Sequence, residues 1–247
     1  MTIRFPFDPL ERSAEAESLV MHDGTRLYYR FRASQYYGGI ATADAVGCSF
    51  LCAYCWNYDR NLHPDRYRTF YSPRDVASKL MNVADARSLG LYRITGSEPI
   101  LGERSFDHLV QLIRTLSRFR PDSRFILETN GFYLGANPGT IRLLRIPGLS
   151  VRVSLKGIDE KSFEKIAGAR KEYFYYPLTA LSELEKQGVP AWPALMEDLF
   201  PQKKIVEFAH LLEANGIHRE LELEKVQPYP HVIRNLDERG IKLRQGT

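Results

Sequence analysis

Cysteine is scarce in this chain: three residues in 247, all within GCSFLCAYCWN at positions 47–57. No others remain to build a disulfide framework or a second cluster held by cysteine alone. No apolar run approaches the length of a membrane span, so no membrane partner is expected. The opening MTIRFPFDPLERSAE has no apolar core followed by a small-residue cleavage site, so it does not read as a secretory leader. A cytoplasmic location is expected, where thiols stay reduced. Excess charge is also small. The formal net charge is +4, with Lys and Arg interleaved among Asp and Glu, so charge alone does not point to nucleic acid. There is no internal repeat and no low-complexity linker. What remains is an ordinary globular composition, 44% hydrophobic and 26% charged, at a length that fits one large domain.

From about residue 72 the hydrophobic pattern alternates between helical and strand periods. Ser72 is a natural N-cap with Pro73 at the first helical position, and Val76, Leu80 and Val83 form one apolar face. A strand is expected over 91–95, then a helix carrying Phe106, Leu109, Val110 and Ile113. RFILET is read as a strand and 138–144 as a short helix. LSVRVSL at 149–155 is read as a strand, followed by helices near 160–167 and 177–187. VPAWPALM is strand-like, although Pro190 and Pro193 argue against it. KKIVEFAHLLEANG is a helix ending at Asn215-Gly216, and RELELEKVQPY the last strand. Repeated β–α units imply parallel strands joined by crossover helices. With the strand leading into Cys48 there are about six units, too few for a closed eight-stranded barrel. The expected fold is α/β, a partial (β/α)6 TIM-like barrel over 37–247. An N-terminal extension over 1–36 is expected to form a hairpin turning at Asp23-Gly24.

The cysteine loop supports two readings. Structural zinc takes four tetrahedral ligands, and His63 would complete Cys48, Cys52 and Cys55. An iron–sulfur cubane normally takes four thiolates, so three leave one iron open to a substrate. Phe50, Tyr54 and Trp56 are placed to shield such a cluster from water.

The spacing C-x3-C-x2-C, with an aromatic before the last cysteine, resembles the radical S-adenosylmethionine (radical SAM) superfamily. The resemblance implies a [4Fe–4S] cluster on Cys48, Cys52 and Cys55, whose open iron is chelated by the methionine part of SAM. It implies a partial (β/α)6 barrel, in agreement with the strand count. Further motifs follow in order, each at a strand's C-terminal end. Gly96-Ser97-Glu98-Pro99 resembles the family's GGEP segment, which binds the SAM ammonium. Glu128-Thr129-Asn130-Gly131 follows the next strand. Ser154-Leu155-Lys156 follows the third, and Lys156 is the cation expected at the SAM carboxylate. Tyr54, Met196 and His231 complete the expected cofactor contacts, Met196 toward adenosine or substrate and His231 toward adenine.

Within the superfamily, LETNG, SLK, SFEKIAGA and VQPYPH are most similar to segments of the activating enzymes of glycyl radical enzymes. Here Glu128 and Ser154 stand where those enzymes carry Asp. That likeness implies an oxygen-sensitive oxidoreductase, working anaerobically, that abstracts hydrogen from a protein or peptide. It also implies an external one-electron reductant of flavodoxin or ferredoxin type. CAYCWN also resembles the tRNA wybutosine enzymes, which makes an RNA nucleoside the alternative substrate. An RNA substrate would require a continuous basic rim including Arg60, Arg66, Arg68, Arg170 and Lys171. A zinc-stabilised binding module is the non-enzymatic alternative.

Overall fold

The computed structural model describes residues 4–244. Its nine strands are β1 (Met21–His22), β2 (Thr25–Ser34), β3 (Ile40–Ala45), β4 (Phe70–Tyr71), β5 (Leu91–Thr95), β6 (Arg124–Thr129), β7 (Leu149–Ser154), β8 (Ala191–Met196) and β9 (Glu222–Glu224). The helices are α1 (Pro9–Val20), α2 (Tyr58–Leu62), α3 (Pro73–Asp85), α4 (Glu103–Phe119), α5 (Phe132–Ala136), α6 (Glu160–Ala167), α7 (Tyr175–Lys186), α8 (Gln202–Ala214) and α9 (Pro230–Glu238). β3, β5, β6, β7, β8 and β9 lie side by side in that order, all parallel. Among the described residues β9 pairs with β8 alone, so the sheet stays open. This is the expected partial barrel of six β–α units.

Strand alternation sorts the side chains onto two faces. Outward go Ala41, Ala43 and Ala45 of β3, Tyr92 and Ile94 of β5, Phe125 and Leu127 of β6, and Val151 and Val153 of β7. They form one buried core with Val76 and Leu80 of α3 and Leu109, Ile113 and Leu116 of α4. Inward go the polar residues in between, among them the buried Thr42, Asp44, Arg93 and Arg152.

Local signals explain the helix starts. At α3, Asp75 N donates to Ser72 Oγ at 3.2 Å and Ser72 N returns a bond to Asp75 Oδ2 at 3.2 Å, a full capping box. α4 begins differently. Glu17 of α1 accepts from both Ser105 N (2.8 Å) and Ser105 Oγ (2.7 Å). Gly102 permits this approach, because a Cβ there would collide with the Glu17 carboxylate.

The hairpin forms at the expected turn, with both Asp23 (φ 45°) and Gly24 (φ 72°) left-handed. β2 then continues antiparallel along β3, so the segment ahead of residue 37 is part of the same sheet. Helices α1 and α9 were not expected. α1 has the start signals of Asp8 as N-cap and Pro9, but it buries Pro9, Ser13, Ala16, Glu17 and Val20, a face with almost no apolar period. α9 buries only Val232 and Leu236. The last strand is shorter than expected because Val226 N donates to the Asp198 carboxylate (3.0 Å to Oδ2) and leaves the ladder. Pro193 is tolerated in β8 because β9 pairs only with Ala194–Met196, beyond the proline.

Candidate active site

The cysteine loop leaves the C-terminal end of β3 and is fastened from behind. Leu51 N donates to Ala167 O (3.0 Å) and Ala53 N to Ile166 O (2.9 Å), while Arg239 Nη2 donates to Leu51 O at 2.6 Å. Phe50 is the anchor, with its ring 5.6 Å from that of Phe132 and 5.4 Å from that of Phe163. It therefore packs in the core and shields nothing in the cavity, whereas Tyr54 and Trp56 line it. Burial is the main reason that the Cys48 thiol is pushed up to about 12 and those of Cys52 and Cys55 to about 11. The neighbouring cysteines raise them further, and Arg12, Lys156 and Arg239 pull back. Three such thiols become thiolates together only against a strong positive centre.

The other expected segments arrive at the same end of the barrel. Gly96 (φ 83°) turns the chain after β5, and its carbonyl accepts from Asn61 Nδ2 at 2.9 Å and from Asn57 Nδ2. Ser97 Oγ is buried without a protein partner. Glu98 is 2% exposed, and its carboxylate accepts from Ile100 N (3.0 Å), Thr129 Oγ1 (2.7 Å) and Asn130 N (2.7 Å). Burial raises its pKa, and these three donors together with Arg26 oppose the rise. Glu98 thus ties the loop after β5 to the loop after β6. Lys156 reaches the cysteines, with Nζ 5.5 Å from the centre of the Tyr54 ring. Burial would lower the pKa of this amine, but Tyr54, Cys52 and Cys48 outweigh it, so the ammonium is retained.

One cavity of about 530 Å³ collects these groups. Cys48, Cys52, Tyr54, Cys55, Gly96, Ser97, Glu98, Glu128, Thr129, Ser154, Lys156 and Met196 all line it. Glu128 is held there by Arg93 Nη1 (2.7 Å), Tyr37 Oη (2.9 Å) and Thr95 Oγ1 (3.0 Å). Two expected residues lie outside the lining. The Pro99 carbonyl is turned back to accept from the buried Arg26 at 3.0 Å. His231 stacks on Tyr229 at 5.8 Å and bonds the Trp56 carbonyl, so Tyr229 lines the cavity in its place.

The residues fit a cluster better than an ion. Among the described residues no three of His, Cys, Asp or Glu converge closely enough to hold one metal ion, and His63 is not in the cavity wall. The sulfurs nevertheless receive aimed donors, Phe50 N to Cys48 Sγ at 3.4 Å and Asn61 Nδ2 to Cys55 Sγ at 3.7 Å. Such bonds favour the thiolate. Three sulfurs in one cavity wall, two of them receiving aimed donors, suit a thiolate-held cluster, with Cys48, Cys52 and Cys55 as its holders.

Sequence reading missed Asn57, Asn61, Arg12, Arg26 and Arg239. Asn57, the N-cap of α2, and Asn61 within it are four apart, the spacing that puts two side chains on one helical side. That much was available from the sequence. The arginines come from elements distant in sequence, and nothing local marks them. Of the five cations that an RNA-binding rim would need, two have acidic partners and a third lies over a ring. Arg66 pairs with Asp59 at 3.1 Å, Arg170 pairs with Asp8 at 2.9 Å, and Arg60 lies over the Tyr29 ring at 5.0 Å.

Comparison with known proteins agrees with this geometry. The family model described as the Radical SAM superfamily matches residues 44–225. The FeMo cofactor biosynthesis protein NifB of Frankia alni is 23% identical over 172 residues, which is 67% of this chain and 32% of NifB. SuiB of Streptococcus suis bound to S-adenosylmethionine superposes with a TM-score of 0.59 at 15% identity, covering 82% of this chain and 50% of SuiB. Native anSMEcpe with bound AdoMet and the Cp18Cys peptide gives 0.55 at 15% identity, covering 78% and 54%. Spore photoproduct lyase complexed with a dinucleoside spore photoproduct gives 0.59 at 14% identity, covering 81% and 60%. The chain thus spans about a third of NifB and about half of SuiB. The superfamily's cofactors are a [4Fe–4S] cluster and SAM.

Proposed function

This chain belongs to the radical SAM superfamily, and on that premise we propose that it takes a hydrogen atom from a protein or peptide substrate held in the barrel cavity. When bound, the cluster and SAM would supply the chemistry: one electron from an external flavodoxin- or ferredoxin-type reductant would split SAM into methionine and a 5′-deoxyadenosyl radical that takes the substrate hydrogen. The carrying observation is the convergence of three thiols, the unpartnered Ser97 Oγ and the Lys156 ammonium on one cavity at the strand ends.

The chain's own residues divide the work. Cys48, Cys52 and Cys55 hold the cluster. Lys156 offers its charge to the SAM carboxylate. Ser97 and the unpartnered Asn61 Oδ1 face the methionine end as polar contacts. Glu98 holds the loops after β5 and β6 in register, so its effect on SAM runs through the backbone of Ser97 and Asn130. The barrel wall excludes water, which protects a reactive intermediate from side reactions.

A peptide is favoured over RNA because two of the five cations that an RNA-binding rim would require, Arg66 and Arg170, already pair with Asp59 and Asp8. The peptide named with anSMEcpe gives a precedent on the same fold. The test is isotope transfer. The anaerobically reconstituted enzyme, given SAM, reductant and candidate peptides deuterated at Cα, should return deuterium in 5′-deoxyadenosine. Transfer only from a deuterated nucleoside or RNA would overturn the peptide reading.

A further inference from the structure

The inward face of this sheet carries ions where barrel cores are usually apolar. The central pair is structural: Arg93 and Glu128 meet at 2.7 Å with side chains 5% and 15% exposed. At the two edges the balance breaks. On β2, Arg30 and Arg32 share the single carboxylate of Asp44, at 2.5 and 2.8 Å, leaving one positive charge in excess. On β9, Glu222 and Glu224 share the single guanidinium of Arg152, at 3.0 and 2.6 Å, leaving one negative charge in excess. Lys225, the next cation along, also lines the cavity, but its partner is Glu197 at 3.9 Å and it bridges neither Glu222 nor Glu224.

These excess charges occupy opposite edges of one sheet. The Arg30–Ser34 portion of β2 pairs only with β3, and β9 pairs only with β8. Arg30, Arg32 and Glu224 line the same cavity. Atom by atom, the openings are specific. Arg30 gives Nε to Asp44 and stays 48% exposed, leaving its terminal nitrogens accessible. Glu224 meets Arg152 through Oε2 and stays 28% exposed, so Oε1 remains open to the cavity. Glu222 has both oxygens occupied, by Arg152 and by Trp192 Nε1.

We propose that the cavity recognises a dipolar peptide: a carboxylate of the substrate docks on Arg30, with Arg32 behind it, and an ammonium or guanidinium docks on Glu224. This inference rests on the reading of the cavity as the place where a peptide meets the SAM-derived radical. It selects, within peptides, those carrying an acidic and a basic group spaced to span the two sheet edges.

The test uses the reconstituted, SAM-loaded enzyme under anaerobic conditions. The probes are N-acetylated, C-amidated hexapeptides bearing one Glu and one Lys separated by zero to three alanines, with Gln/Gln peptides as matched neutral controls. The best-spaced charged peptide should bind about three- to tenfold more tightly than its control, the size expected of half-exposed charged contacts. Arg30→Gln should erase the gain from Glu, and Glu224→Gln the gain from Lys, with SAM affinity unchanged within about twofold. Arg30→Lys and Glu224→Asp should retain the preference, which a folding defect would not. The proposal falls if no spacing shows a charge preference, if both Gln variants keep it, or if SAM binding drops as much as peptide binding. The deuterium-transfer assay on the same peptides separates the two readings. A charge preference that depends on Arg30 and Glu224, with no deuterium transferred from any peptide, would uphold the charge inference and sink the peptide reading. Deuterium transfer from a peptide with no charge preference anywhere would do the reverse.

Discussion

β3 has two faces, and both are buried. Outward, Ala41, Ala43 and Ala45 are each 0% exposed and rest on apolar helices; inward, Thr42 and Asp44 are also 0% exposed and meet only polar groups. The outward face contributes stability in proportion to the apolar area it removes from water. The inward face contributes little net stability, since each desolvated ion must be matched by a partner. The same alternation recurs on β5, where Tyr92 and Ile94 flank the inward Arg93, and on β7, where Val151 and Val153 flank Arg152. Folding of this sheet therefore rests on one face, and the other is left available for chemistry.

The largest effect expected is all-or-none. Replacing any one of Cys48, Cys52 or Cys55 by Ala should remove most of the iron after reconstitution and all SAM cleavage, with the thermal transition of the apoprotein nearly unmoved. His63→Ala should keep the iron, because His63 lies outside the cavity wall. Loss of metal in His63→Ala would favour zinc.

Next come the ions of the inner face. Arg93→Met should destabilise the fold by about 3 to 5 kcal/mol, because it strands Glu128 without its cation. The double replacement Arg93→Met/Glu128→Met should recover much of that loss in urea unfolding. A double variant no better than the single would show that the inner ion pairs stabilise the fold as strongly as the outer core does.

Smaller effects should separate two residues that sequence reading treated alike. Lys156→Met should weaken SAM binding by roughly ten- to a hundredfold, the worth of a charge-assisted hydrogen bond, and leave the melting temperature near that of the wild type. Glu98→Gln should lower both together, because its carboxylate clamps Ile100, Thr129 and Asn130. Equal thermal stability in the two variants would contradict the clamp.

The smallest prediction concerns the seam between β2 and α4. His108 is 2% exposed; Nδ1–H donates to Gly24 O at 3.1 Å, so Nε2 accepts from Tyr28 Oη at 3.2 Å. Burial lowers its pKa to about 4. Below its unfolded pKa of about 6.5 the unfolded chain takes up a proton that the folded chain refuses. The stability held at neutral pH is thus lost as pH falls from about 6.5 toward 4. The loss should be about 1 to 3 kcal/mol, and His108→Gln should remove that part of the pH dependence. Parallel pH profiles for wild type and variant would refute it.

What the sequence made legible follows the same two faces. Apolar periodicity exposed the outward residues, and with them the parallel strands and the long helices, because hydrophobic burial is written at fixed spacing. The cysteine loop was legible because three cysteines at that spacing have few other uses. The inner ions were not, since Arg30, Arg93 and Arg152 look like solvated residues until the sheet brings Asp44, Glu128 and Glu222 beside them. α1 escaped for a related reason: its buried face includes Ser13 and Glu17, and Glu17 earns burial only by capping α4. Pro99 and His231, expected from the resemblance, lie outside the cavity lining, because a motif does not fix which way each of its residues turns.

The most direct test of the central claim is metal content combined with electron paramagnetic resonance, with and without SAM. Membership of the radical SAM superfamily, with three cysteines in one cavity wall, predicts about four irons and matching sulfide per chain after anaerobic reconstitution, and no stoichiometric zinc. The reduced cluster should change its spectrum when SAM is added, because three cysteines leave one iron open. Stoichiometric zinc without iron uptake, or a reduced cluster whose spectrum SAM leaves untouched, would contradict the account.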